Sequence, residues 1–111
     1  MKIIYIIGPF RAENAWLVEQ NIRRAEEAAL KLWQKGFTVI CPHANTRFFD
    51  GFLPSDVFLK GDLEILKRCN AALCISGWMH SVGSCNEVAF CKEYKIPFYT
   101  DFNDLVYDLT D

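Results

Sequence analysis

The residues best suited to chemistry are His80-Ser81-Val82-Gly83-Ser84-Cys85-Asn86-Glu87, which combine hydroxyls, a glycine and a single carboxylate. They follow an apolar run, Ala71-Ala72-Leu73-Cys74-Ile75, and precede a helix-like run from Val88 to Lys95. A strand-to-helix turn of this kind presents free backbone N–H groups at the edge where open α/β sheets bind ligands. Glu87 would then lie about one turn inside a donor-rich helix start, where a carboxylate or a bound phosphate is stabilised. Ser84-Cys85-Asn86-Glu87 also fits a capping box, in which Ser and Glu satisfy each other's backbone donors and no chemistry follows. Both readings stand on this segment alone.

Other residues with chemical potential are scattered. Gly8-Pro9-Phe10-Arg11 follows the first apolar run and is either a tight turn with a solvent-facing Arg or part of a ligand site. It is not a G-x-G-x-x-G fingerprint, which argues against the usual dinucleotide fold. Asp62 falls near an expected helix start, where an acidic residue ordinarily complements the macrodipole. His43 and Asn45 lie in a long loop and can touch a ligand or simply face water. Trp78 is either a core or lid aromatic, or a surface on which a base stacks.

The bulk properties exclude several classes. At 111 residues the chain is read as one domain, residues 1–111, able to bury a core without disulfides or metals. A hydrophobic content of 51% with 23% charged residues is that of a globular protein, and a net charge of −2 offers no broad field for nucleic acid. The five cysteines contain no C-x-x-C pair, which suits a reducing cytoplasm rather than a disulfide framework. Cys41-Pro42-His43 lacks partners at metal-ligand spacing, so no metal and no cofactor are expected. No signal-peptide pattern opens the chain, and no apolar stretch approaches the roughly 20 residues of a membrane span.

The elements that position these residues follow from pattern. Lys2 to Ile7 is a continuous β-branched and aromatic run ended by Gly8-Pro9, as in a strand buried on both faces. Ala15, Val18, Ile22, Ala25, Ala29 and Leu32 mark one face of a helix over 14–35, closed by Gly36. Strands are expected at 37–41, 71–75 and 96–99, and helices at 61–69, 84–95 and 101–109, the last capped near Asp101 or Asn103. His43 to Leu59 reads as a long loop, often a lid when it occurs in a compact domain. The alternation predicts an α/β, flavodoxin-like (Rossmann-like) three-layer sandwich with a four- or five-stranded parallel sheet. Right-handed crossovers collect the loops after Ile7, Cys41 and Ile75 on one rim.

Taken together, Tyr5-Ile6-Ile7-Gly8-Pro9-Phe10-Arg11, Cys41-Pro42-His43, Asp62-Leu63-x-x-Leu66-x-x-Cys69 and Gly77-Trp78-x-x-Ser81-x-Gly83-x-x-x-Glu87 resemble the nucleoside 2-deoxyribosyltransferase superfamily. The resemblance runs in order over about residues 3–99 and extends to the 2′-deoxynucleoside 5′-monophosphate N-glycosidases. It is strongest to a group of short phage and bacterial proteins with no established reaction. The resemblance implies that Glu87 is a nucleophile attacking the anomeric carbon, that Tyr5 positions its carboxylate, and that Asp62 assists as acid for the leaving base. It places Arg11, Ser81 and Gly83 around the 5′ end of a nucleotide; Gly8, Phe10, His43, Asn45, Trp78 and Ser84 are further candidate substrate contacts.

In this superfamily the transferases acting on free nucleosides carry Asp six residues before the nucleophile, and the monophosphate hydrolases carry Ser. Here that residue is Ser81, which donates to a phosphate that a carboxylate would repel. The resemblance also implies a homodimer. The extra apolar residues Trp16, Leu17 and Trp33 on the first helix would supply its surface or pack on the 43–59 loop. The characterised branches carry a longer C-terminal part, whereas this chain ends at Asp111; Cys85-Asn86 and Pro9-Phe10 also depart from the hydrolase pattern. Two other activities compete: a non-catalytic nucleotide-binding module in which Glu87 is only a cap, and cleavage of a nicotinamide dinucleotide.

Overall fold

The computed structural model describes residues 1–110; Asp111, the last residue of the expected domain, lies outside the described residues. Strand β1 (Ile3–Ile7) leads into α1 (Ala15–Gln34), then β2 (Thr38–Ile40) and the short α2 (Pro42–Asn45). A 3₁₀ turn at Arg47–Phe49 precedes α3 (Ser55–Lys67) and β3 (Ala71–Cys74). A second 3₁₀ turn, Trp78–His80, precedes α4 (Val82–Tyr94), β4 (Phe98–Tyr99) and α5 (Phe102–Leu109). The four strands form one parallel sheet in the order β2-β1-β3-β4, with β1 in its interior. This is the flavodoxin-like three-layer architecture.

Strand alternation divides the core in two. Ile4, Ile6, Ala71 and Leu73 pack with Ala25, Ala29 and Leu32 of α1 and Leu105 of α5. Tyr5, Ile7, Ala72 and Cys74 point to the other face, against Leu66 of α3 and Val88 and Cys91 of α4. A tyrosine on a strand buried on both faces needs a partner for its hydroxyl, because an unbonded buried polar group is costly. That requirement ties β1 to α4. Among the described residues no helix is long and apolar enough to cross a membrane.

The first helix matches its expected span closely: Asn14 accepts from the Leu17 N–H at 2.9 Å to start it, and Gly36, at φ 93°, closes it. Three expectations need correction. The helix expected at 61–69 begins at Ser55, so the long loop shrinks to residues 46–54 and contains a turn of its own. Asp56 in the first turn of α3 suits the helix dipole, and the helix then runs through Gly61 despite that residue's cost of about 1 kcal/mol. Asp62 is therefore two turns inside α3 and is no macrodipole partner. The capping box at Ser84–Glu87 is not formed either, since α4 starts at Val82 with Ser81 as its cap.

Candidate active site

The rim at the carboxyl ends of β1, β2 and β3 holds a cavity of about 630 Å³. Three elements converge on Glu87. Ser81 caps α4 by accepting from the Ser84 N–H at 3.2 Å, so the helix is set from its first residue. Glu87 then stands on the turn facing the sheet, and the fully buried Tyr5 donates its hydroxyl to Glu87 Oε2. From α3, Asp62 lines the same cavity. A carboxylate that accepts a hydrogen bond from a core tyrosine is fixed in orientation while the cavity remains open to a ligand.

Electrostatics follow from this placement. Burial lifts Glu87 from an ordinary 4.5 to about 7, opposed by the Tyr5 hydrogen bond and reinforced by the charge of Asp62. Burial also lifts Asp62, to about 6. The Tyr5 hydroxyl is driven strongly upward by burial and then by the charges of Glu87 and Asp62, so it remains a proton donor. Two carboxyl groups poised near neutrality in one cavity mark a candidate catalytic site.

The first loop forms another wall. A Cβ on Gly8 would fall 2.4 Å from Ile75 Cγ1, so only glycine lets this turn lie against the end of β3. His43, buried in α2, holds the loop by donating from Nε2 to the Gly8 and Pro9 carbonyls at 2.9 and 3.1 Å. Burial lowers the His43 pKa, which keeps the ring neutral with one donor nitrogen. Its Nδ1 and the Ser84 hydroxyl, both in residues lining the cavity, are the two buried side-chain polar atoms without a partner among the described residues. Arg11 also lines the cavity but is exposed and pairs with Asp50 at 3.2 Å.

Gly8, Phe10, Arg11, His43, Asp62, Ser81, Gly83, Ser84 and Glu87 thus share one cavity, with Tyr5 behind Glu87. Two residues picked from the sequence do not join them. Asn45 is exposed at the end of α2, outside the cavity lining, and Trp78 is half-buried against the Tyr5–Ile7 side of the core. Its indole packs against that apolar cluster, where burial wins over ligand contact. Sequence reading missed Asn21, Arg24, Asp50 and Phe58, all of which line the cavity. Asn21 carried a usable signal, as a polar residue beside Ile22 on the helix face that packs on the sheet. Among the described residues no group of three His, Cys, Asp or Glu side chains is placed to hold a metal ion, and all five cysteines are free.

Residues 2–101 match the family described as "Domain of unknown function (DUF7768)". The chain belongs to that family. No curated protein matches the chain. Among solved structures it is similar to a 2-deoxyribosyltransferase from the psychrotolerant bacterium Bacillus psychrosaccharolyticus, with a TM-score of 0.68 and 19% identity. That likeness covers 94% of this chain and 90% of the other, and at this identity it shows a shared fold.

Proposed function

We propose that this DUF7768 domain cleaves or transfers at the N-glycosidic bond of a (deoxy)nucleoside 5′-monophosphate, with Glu87 as nucleophile. The observation that carries the reading is the hydrogen bond from buried Tyr5 to Glu87 in a cavity shared with Asp62. The fold shared with a 2-deoxyribosyltransferase supports the reaction class. A Glu87 oxygen forms a bond to C1′ as the C1′–N bond breaks, and the electron pair leaves on the base nitrogen. Asp62, with a pKa near 6, is a suitable acid for that nitrogen. Water then attacks C1′ of the glycosyl ester, losing its proton to Asp62, and Glu87 departs as carboxylate. The products are a free base and a sugar 5-phosphate with retained anomeric configuration. A second base in place of water makes the same sequence a transfer.

Support for the phosphate comes from the start of α4. The first N–H groups of a helix have no intrahelical partner, and this first turn carries no acidic residue. The Ser81 oxygen accepts from Ser84, which leaves its hydrogen free to donate to a ligand. Arg11 adds charge once it leaves Asp50.

The test is base release from a panel of deoxynucleotides and nucleotides, followed chromatographically, with wild type and Glu87→Gln. Release that vanishes in the variant is expected. No release from any substrate, or release indifferent to Glu87, overturns the reading. A nucleotide that binds the wild type without reacting would point to the binding module instead. The same proposal includes a homodimer using the apolar residues of α1, because Trp16 and Trp33 stay exposed rather than covering the 46–54 segment. A monomeric sedimentation mass at working concentration would remove it.

A further inference from the structure

Arg24 stands in the middle of α1, is exposed to solvent and lines the cavity, yet none of the sequence motifs includes it. Its guanidinium donates from Nη2 to the Asn21 side-chain oxygen. Asn21 is only 8% exposed, and its amide nitrogen donates to the Phe10 carbonyl at 3.1 Å. A buried amide is tolerated when both ends are bonded. Here those bonds join the first loop of the cavity to a guanidinium, one turn along the same helix.

Charge accounting singles this arginine out. Arg11 and Arg24 are the two arginines lining the cavity. Arg11 already faces a carboxylate, Asp50, at 3.2 Å. Among the described residues Arg24 is in no ion pair, and its side-chain partner is a neutral amide oxygen. An anion reaching Arg11 shares its charge with the Asp50 carboxylate, whereas at Arg24 it meets an uncompensated charge. Guanidinium carries five donors in a planar fork, so one bond to Asn21 leaves others for two oxygens of a tetrahedral anion. The Asn21 bond also restrains a long side chain in advance, which lowers the entropic cost of binding.

We infer that Arg24, positioned by Asn21, recognises the phosphate of the ligand and is the residue that separates monophosphate from nucleoside. The inference rests on the nucleotide reading above and adds a residue to it. Phosphate binding through Arg24 is a binding role, and Asn21 is a positioning residue acting through it. Ser81 at the start of α4 lines the same cavity.

Calorimetry tests this without turnover, using a deoxynucleoside 5′-monophosphate, its nucleoside and inorganic phosphate. Arg24 is a surface residue, so Arg24→Gln leaves folding intact. It is expected to weaken the monophosphate and inorganic phosphate about tenfold or more, the loss of a charge-assisted hydrogen bond, and to leave the nucleoside unchanged. Asn21→Ala should reduce the monophosphate preference by a smaller factor. A wild-type ratio of monophosphate to nucleoside affinity in Arg24→Gln overturns the inference, as does an equal loss of both ligands. The same holds if no phosphate-bearing ligand binds the wild type. Arg24-dependent phosphate binding in a protein that releases no base would overturn the glycosidase reading and uphold this one.

Discussion

Replacing Glu87 by Gln should stabilise the folded protein at alkaline pH, and the gain should disappear in acid. In the fold, burial first and then the charge of Asp62 raise Glu87 from 4.5 to about 7. The native state therefore holds that proton more tightly than the unfolded chain does. Its stabilising contribution is fully present below about pH 4.5 and is lost as pH rises through 7. At pH 8 the ionised side chain costs the native state at most about 3 kcal/mol, at 1.36 kcal/mol per pH unit. Gln is neutral, has the same shape and can still accept from the Tyr5 hydroxyl. For a domain of this size 3 kcal/mol is a rise in melting temperature on the order of 10 °C. Thermal melts of both proteins between pH 4 and pH 8.5 should diverge from about pH 4.5 upward and keep a constant separation above about pH 7. Parallel curves, or a variant that melts lower at pH 8, would refute the claim that the fold holds Glu87 as a half-buried carboxyl with a raised pKa. No substrate is needed, so this result stands apart from any assay of activity.

Three further outcomes are expected. Tyr5→Phe removes the hydrogen bond that holds Glu87 down, worth about 1.5–3 kcal/mol or one to two pH units. Base release at pH 7 should fall about 5- to 50-fold relative to wild type, and that deficit should narrow when both proteins are compared toward pH 9; a deficit uniform in pH would contradict this. Gly8→Ala drives a methyl group to 2.4 Å from Ile75 Cγ1 and should cost about 1–3 kcal/mol in denaturant titrations, part of it regained with Ile75→Ala. An unchanged midpoint would mean the turn moves freely. Ser81→Ala should cost about 1 kcal/mol as the α4 cap is lost, whereas Ser81→Asp keeps the cap and repels a phosphate. Calorimetry showing monophosphate still preferred in Ser81→Asp would remove Ser81 from the anion site.

The fold was readable because its strands are uninterrupted. Ile3–Ile7 and Ala71–Cys74 are apolar at every position, which only burial on both faces of a sheet explains. What sequence pattern hid was the beginning of α3. Val57 and Leu59 are exposed apolar residues, and Gly61 interrupts the run, so the helical period between Ser55 and Gly61 is blurred. Tertiary contacts override that weak local signal: Leu66 and its neighbours dock on the sheet, and the helix extends backward from the anchored end. The error displaced Asp62 from a helix start to a helix middle and thereby removed the innocuous explanation for it.

The site was legible only where one residue type has one job. Tyr5 amid isoleucines on a buried strand demands a polar partner, and Glu87 on the facing helix supplies it. Trp78 misled because an indole fills a core as readily as it stacks on a base, and the choice depends on a turn whose geometry Gly77 sets at φ 88°. Asn21 and Arg24 escaped because each is ordinary on a helix by itself. Their meaning comes from the 3.1 Å bond to Phe10, a contact set by how the first loop folds back over α1. Charge makes the same point. Arg11 is the arginine of the motif, but folding brings Asp50 to it and leaves Arg24 uncompensated. Affinity for an anion depends on what each guanidinium gives up to bind it, and that difference exists only in three dimensions.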